Sequence, residues 1–466
     1  MRTTENRWIP ERWAAPLAYA LMLAAAVMAL LLIVQSGETL TAPAAGYAVR
    51  APAAPVAATS KISPLVHVLL LLAVVVALGR LMSRLLARWR QPPVIGEILA
   101  GIALGPSLLG HFWPGASEFL LPADVAPYLN VLAQLGVVLY MFVVGLELNA
   151  GLLRDRAHAT IAISHASILA PFLLGALLAL WLYPRLSSQD VRFTSFALFL
   201  GAAMSVTAFP VLARILSDRG LTKTGLGVLA LSCAAADDVT AWCLLALVVG
   251  VAQANVAVAM WVIAGTVGYL AAMFVVARPL VGRWLRQHDG PLTPTKMALV
   301  FVAVLASAIT TELIGVHAIF GAFLLGAVIP HDSRLAKEIA FKLEDVVTIL
   351  LLPAFFALTG MRTRIGLVSG LDAWLICGLV LLVATCGKFG GTLGAARLAG
   401  LSWRDSAALG VLMNTRGLME LVVLNIGLDL HVISPTLFAM MVVMAVVTTM
   451  ATTPILTAQK VEANWR

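Results

Sequence analysis

Apolar residues fill this chain in blocks of about 20, the length at which a helix rising about 1.5 Å per residue crosses the roughly 30 Å hydrocarbon layer of a bilayer. Fourteen such blocks can be marked, near residues 18–34, 64–83, 93–109, 127–147, 160–183, 193–213, 225–250, 256–277, 297–315, 316–330, 345–361, 372–396, 405–428 and 434–456. Gly and Pro shorten or interrupt several of them, so their number is firmer than their ends. The pattern predicts an all-α polytopic membrane protein.

The polar positions between the blocks are not neutral with respect to side. If the N-terminus is cytoplasmic, 23 of the 31 Lys and Arg fall on the inner side, among them Arg80, Arg84, Arg88 and Arg90, then Arg214 and Arg219, then Arg278, Arg283 and Arg286. Six fall outside, Arg50, Lys61, Arg185, Arg192, Arg362 and Arg364, while Lys388 and Arg416 lie within apolar blocks. The bias places both termini in the cytoplasm, and in a bacterium the membrane would be the inner one. Block 18–34 reads as an uncleaved anchor or as a signal peptide, its length favouring the anchor, and the Ala/Pro-rich stretch after it as an external linker. The domain reading is therefore 1–63 for anchor and linker, 64–456 for the membrane domain, and 457–466 for a short cytoplasmic tail.

Composition removes the competing classes. The hydrophobic set makes up 61% and charged residues only 12% of 466 positions, with a mean hydropathy of +0.97, so a water-soluble enzyme is excluded. The net charge of +8 comes without a basic cluster interleaved with aromatics, so topology explains it and nucleic acid is not a partner. Cys233, Cys243, Cys377 and Cys386 all sit in apolar runs without metal-ligand spacing. The eight His are scattered likewise, and no cofactor, catalytic group or resident metal is indicated. Glu97, Glu147 and Glu312 lie near block ends, where capping or interfacial roles are commoner than ion binding.

Two distant segments share a glycine pattern. Ile95-Gly96-Glu97-Ile98-Leu99-Ala100-Gly101 matches Phe320-Gly321-Ala322-Phe323-Leu324-Leu325-Gly326, and the blocks that follow end in Gly145-Leu146-Glu147-Leu148 and Gly360-Met361-Arg362-Thr363. Seven blocks separate the copies, an odd number, so the halves would sit upside down relative to each other, as in transporters with inverted repeats. Small residues also mediate plain helix contact, and these residues alone leave that alternative open. Each half has one polar interruption in its corresponding block: Ser205-Val206-Thr207-Ala208-Phe209-Pro210, and Asn414-Thr415-Arg416-Gly417 followed by Glu420 and Asn425. Interrupted helices that cross at the midplane expose backbone dipoles to an ion, and Pro210 lacks the donor that would close its turn.

Charge inside the apolar layer points to chemistry. An ionised side chain at mid-bilayer costs roughly 2.5–3.5 kcal/mol on insertion scales, yet Asp237 and Asp238 stand side by side in a long apolar run. Neighbours in a helix point about 100° apart, so the two carboxylates face different surroundings. Lys388, far from either end of its block, offers a partner for one of them, and such a pair can take up or release a proton as it closes or parts. A purely structural ion pair is the alternative.

These residues resemble the monovalent cation:proton antiporter-2 family of the sodium/proton exchanger superfamily, in the branch with potassium-efflux and plant cation/proton exchangers. The likeness covers about residues 64–456 and rests on Pro92-Pro93-Val94-Ile95-Gly96-Glu97-Ile98-Leu99-Ala100-Gly101, Asp237-Asp238, Gly387-Lys388 and Asn414-Thr415-Arg416-Gly417-Leu418-Met419-Glu420-Leu421. It implies an inverted-repeat antiporter fold with two broken crossing helices, a core of 13 helices with one more at the N-terminus, and a dimer domain, hence a homodimer. By position it implies Asp238 as ion- and proton-binding carboxylate, Asp237 with Lys388 as the neighbouring ion pair, and Thr207 as part of the broken-helix site. Ser205, Pro210, Asn414, Thr415, Arg416 and Glu420 match the broken helices. Paired acids are similar to those of electrogenic members. No Gly-rich strand-turn-helix follows the last block before Arg466, so gating by a nucleotide-binding module after it is not expected.

The expected activity is exchange of Na+ or K+ for protons by competition at Asp238. A channel or sensor that kept the fold without coupling is the rival reading. The sequence does not choose between the two cations.

Overall fold

In a computed structural model the described residues are 14–43, 63–122, 125–147, 157–222, 224–252, 256–287 and 290–461. Residues 1–13, most of the Ala/Pro linker, Leu148, Arg154, Arg156, Lys223 and the last five residues of the tail lie outside them, and with them those parts of the expected anchor, linker and tail. Helices are the only regular structure among the described residues.

Each of the fourteen apolar blocks is helical. Leaving aside the short helices Leu109–Phe112 and Pro114–Leu120, the described helices begin with α1 (Ala14–Gly37), α2 (Pro64–Ala87), α3 (Pro93–Leu104), α4 (Ala126–Glu147), α5 (Ala157–Leu186), α6 (Phe193–Ser205), α7 (Phe209–Asp218) and α8 (Gly225–Ala252). They continue with α9 (Val256–Ala272), which runs through a π-helical turn into Arg278–Gln287, α10 (Pro294–Ile314) and α11 (Ala318–Val328). An amphipathic helix α12 (Arg334–Val346) passes through a second π turn into α13 (Leu352–Arg362), followed by α14 (Gly370–Leu398), α15 (Trp403–Met413), α16 (Leu418–Asp429) and α17 (Pro435–Ala458). Among the described residues, eleven spans are long and apolar enough to cross a membrane, and α15 with α16, bent by 44°, makes a twelfth if the pair is one span. α11, with 11 residues, and α13, also with 11, are shorter than the blocks read at 316–330 and 345–361.

Local chemistry sets many of these ends. Pro stands in the first turn of α2, α3, α7, α10 and α17, where its missing N–H has no helical partner to lose. The hydroxyls of Thr293, Ser333, Ser402 and Ser434 cap α10, α12, α15 and α17 by accepting backbone N–H bonds. Gly315, at φ +99°, supplies the left-handed turn that ends α10.

The helices sort into two groups. α5, α6, α7, α8, α14, α15 and α17 pack on one another, with α16 against α6 and α17, and α1 leans on α5 and α6. The other group joins α2, α3, α4, α10, α11, α12 and α13. Its contacts follow the glycine match. A β-carbon on Gly101 of α3 would run into the Ala357 carbonyl of α13, and one on Gly360 of α13 into the Ile98 carbonyl of α3. The same reciprocity links Gly145 of α4 with Phe323 of α11, and Gly326 of α11 with Phe142 of α4. Gly96 meets the backbone of Ser83 in α2, as Gly321 meets that of Ser307 in α10. Equivalent glycines thus make equivalent contacts, crosswise between the halves at Gly101, Gly145, Gly326 and Gly360 and within each half at Gly96 and Gly321, which is the packing of an inverted repeat.

Between the two groups, on the face that holds most Lys and Arg, lies a cavity of about 430 Å³. Glu97, Tyr140, Glu147, Leu352 and Phe356 line it from one group, and Phe209, Pro210 and Leu418 from the other.

Candidate ion-binding site at the helix crossing

The two breaks predicted from sequence meet. α6 stops at Ser205 and α7 starts at Phe209, with Val206–Ala208 extended between them; α15 stops at Met413 and α16 starts at Leu418. The strands of backbone touch where they cross: the Ala208 N–H donates to the Thr415 carbonyl at 3.0 Å, and the Thr207 hydroxyl lies 3.2 Å from the Met413 carbonyl. Pro210 sits in the first turn of α7, where a proline can start a helix but not continue one. Gly417 leaves room for Val211 and Ala208, whose side chains a β-carbon there would press on.

The carbonyl end of α6 receives two cations. Arg416 donates to the carbonyls of Ala203 at 3.2 Å and Met204 at 2.7 Å, and Lys388 Nζ donates to that of Ser205 at 2.6 Å. A helix C-terminus carries partial negative charge and unsatisfied carbonyls, so this is where buried cations are least costly. Both cations also have a carboxylate. Arg416 Nη1 is 3.5 Å from Glu420 Oε2, one turn on in α16, and Lys388 Nζ is 2.9 Å from Asp237 Oδ2, all four side chains being fully buried. The Arg416 backbone is in turn pinned by Thr449 of α17, which accepts from its N–H and donates to its carbonyl.

Asp237 is saturated. Its Oδ1 accepts from Ser164 at 2.6 Å, and its Oδ2 from Ser167 at 2.8 Å, from Thr207 at 2.9 Å and from Lys388. Lys388 reaches this point because Gly387 and Gly391 let α14 approach the backbone of α5 at Pro171 and Ala166. Ser164 and Ser167 escaped the sequence reading. Hydroxyls in apolar helices commonly bond their own backbone, so no local signal set these two apart.

Asp238 is the opposite case. It is 1% exposed, and no side chain donates to either carboxyl oxygen; the protein donor that faces it is the Phe209 backbone N–H at the start of α7. The Thr207 hydroxyl, expected at the broken-helix site, donates to Asp237 and not to Asp238. The large cavity stops short of Asp238 at Phe209, Pro210 and Leu418. Ser205 contributes its carbonyl to Lys388, while its own hydroxyl bonds the Ala202 carbonyl. Thr415 bonds the Leu412 carbonyl, and the side-chain oxygen of Asn414 is buried without a partner.

The remaining candidates are placed elsewhere. Glu97 and Glu147 line the large cavity, and Glu312 caps α11 by accepting from the Ala318 N–H at 2.8 Å. All four cysteines are free thiols, Cys233 and Cys377 buried, Cys386 exposed.

Electrostatically, the crossing holds two internally neutral pairs and one carboxylate left over. A single positive charge at Asp238 would bring the buried cluster to neutrality, and a proton or a monovalent cation supplies it equally well.

Comparison with known proteins bears on this arrangement. Residues 69–458 match the family described as sodium/hydrogen exchanger, transmembrane. The chain is 45% identical over 386 residues to the Na(+)/H(+) antiporter NhaS4 of Synechocystis, covering 82% of this chain and 94% of that protein. It is 39% identical to Cation/H(+) antiporter 18 of Arabidopsis thaliana, over 84% of this chain and 48% of that one. With K(+)/H(+) antiporter 1 of Saccharomyces cerevisiae it shares 34% identity over 78% of its own length and 43% of the relative's. It therefore spans about half the length of these plant and yeast relatives. Among solved structures, the sodium proton antiporter MjNhaP1 from Methanocaldococcus jannaschii superposes with a TM-score of 0.66 at 13% identity, over 86% of this chain and 100% of that one, a likeness of fold.

Proposed function

The chain belongs to the sodium/hydrogen exchanger family, and from that membership we propose that it is a secondary antiporter exchanging Na+ or K+ for protons by competition at Asp238. The observation that carries this reading is the fully buried carboxyl of Asp238, which has no side-chain donor and no counter-charge of its own, beside two ion pairs that are already neutral. An ionised carboxylate without a counter-charge is costly in the apolar layer, so the site crosses readily only when loaded with one positive guest. Because either guest suffices and both together leave an excess charge, each crossing carries one or the other. That restriction turns a shared carboxylate into obligatory exchange.

The Asp237–Lys388 pair gives the reading its second proton. If Lys388 sheds a proton when a cation occupies the site and regains it when the cation leaves, the cation-loaded site crosses with one net negative charge and the proton-loaded site with none, and two protons cross for each cation. The cycle is then electrogenic, driven by about 2.3 kcal/mol per charge per 100 mV. The charge bias of the loops supports cytoplasmic termini, so the large cavity opens inward, and the chain would act as a homodimer in the inner membrane.

The test is made in proteoliposomes with a pH-sensitive dye inside. An outward Na+ or K+ gradient should acidify the lumen, reversing when the gradient is reversed. Downhill cation flux with no pH change would replace the antiporter by the channel reading.

A further inference from the structure

A second cavity, of about 220 Å³, lies outside the mechanism just given. One wall is α8, through Trp242, Leu245 and Val249. Together with Asp238 these residues stand at i, i+4, i+7 and i+11, a single face of the helix, with Asp238 one turn, about 6 Å, beyond Trp242. The rim includes Glu312 and Leu430, both exposed, so the cavity opens to the surface at the face poor in Lys and Arg.

Trp242 forms its floor. The residue is 1% exposed, its ring stands 6.3 Å from that of Phe320 in the opposite helix group, and its indole N–H is buried without a protein partner. A buried donor left unpaired is costly, and a water-filled passage would satisfy it. Asp238 thus lies between two blind cavities, one ending on Phe209 and Pro210, the other on Trp242.

We propose that the smaller cavity is the outer half of the ion path to Asp238 and that Trp242 is the side chain that closes it. A polar clasp holds it shut. α13 and α16 stand apart where Leu352, Phe356 and Leu418 line the large cavity, and they meet at their far ends. There Arg362 Nη1 donates to Asp429 Oδ1 and to Asn425 Oδ1, each at 3.0 Å, and the Asn425 amide donates to Thr359 Oγ1 at 2.9 Å. α16 also carries Ile426 and Leu430 on the wall of the smaller cavity. Opening toward this face parts Trp242 from Phe320 and breaks the clasp.

The inference rests on Asp238 being the exchange site, and accessibility tests it separately. In a background with the four native cysteines replaced, Val249→Cys and Leu245→Cys are exposed to a membrane-impermeant thiol reagent from each side in turn. Val249→Cys should react from the Lys- and Arg-poor side only, and its modification should stop exchange. Leu245→Cys should react from the same side at least tenfold faster when Trp242→Ala or Arg362→Ala is added. Reaction from the other side, modification without loss of exchange, or Leu245→Cys rates unmoved by both substitutions would overturn the proposal. If instead Asp238→Asn retains exchange, the site reading fails while the labelling rates still report a passage, so the two failures are told apart.

Discussion

Asp237 and Asp238 share a peptide bond but not an environment: the first accepts from Ser164, Ser167, Thr207 and Lys388, the second from no side chain. Their substitutions should therefore fail differently. Asp238→Asn keeps shape and removes only the titratable charge, so dye-reported exchange should fall to the level of protein-free liposomes while thermal stability holds or rises. Asp237→Asn leaves Lys388 buried without its carboxylate, a loss of about 3–5 kcal/mol, and should lower the melting temperature in detergent before any transport is measured. Equal loss of stability in both variants would remove the distinction.

Competition at one carboxyl fixes a pH dependence. As pH falls the carboxyl is protonated, the cation competes less well, and its half-saturating concentration rises, while the rate at saturating cation is unaffected by the competition itself. One proton per site gives a rise of about tenfold per pH unit on the acid limb, and two coupled protons about a hundredfold. Measuring half-saturation for Na+ and for K+ between pH 6 and 9 reads the slope directly. A half-saturation independent of pH would exclude a shared site.

Removing the Lys388 ammonium separates coupling from packing. Lys388→Gln leaves Asp237 with three hydroxyl donors and no charge partner, so Asp237 becomes the group that holds a proton. If Lys388 carries the second proton, exchange by this variant should lose its response to an imposed potassium-valinomycin potential while retaining cation-coupled proton movement. An unchanged voltage response assigns the pair to helix packing alone. The double substitution Asp237→Asn with Lys388→Gln should recover most of the stability that either single change loses, because no unpaired buried charge remains.

Several of these features are written in the sequence for a physical reason. A charge such as Asp238 or Lys388 in an apolar run is conspicuous because the bilayer tolerates so few, and Gly101 or Gly326 is conspicuous because only a missing β-carbon admits a carbonyl so near. Hydroxyls carry no such mark. Thr392 and Thr448 bond carbonyls one turn back in their own helices, as hydroxyls in apolar helices commonly do, and nothing local distinguishes them from Ser164 and Ser167, which turn across to Asp237. The clasp was equally hidden. Arg362 is one of six external charges in the sequence, and its pairing with Asn425 and Asp429 depends on how two helices from different packing groups converge. Helix ends blurred where an amphipathic segment merges into an apolar one, as α12 does into α13 through a π turn.

The crosswise glycines give a prediction about the scaffold, independent of any ion. Gly101 and Gly326 occupy equivalent places in the two halves, and each meets a backbone carbonyl of the other half, from Ala357 and from Phe142. A carbonyl cannot rotate away as a side chain can, so even one methyl group must push two helices apart, at a cost of about 1–3 kcal/mol or more for overpacking. Gly101→Ala and Gly326→Ala should therefore lower thermal stability by similar amounts. Gly115→Ala, where a β-carbon meets nothing within 4 Å, should leave it unchanged. Both damaging substitutions fall in the group of helices that does not hold Asp238. Exchange by the folded fraction should keep its pH dependence even as the yield of folded protein drops, and tolerance of alanine at either glycine would show that the helices are not held together by this contact.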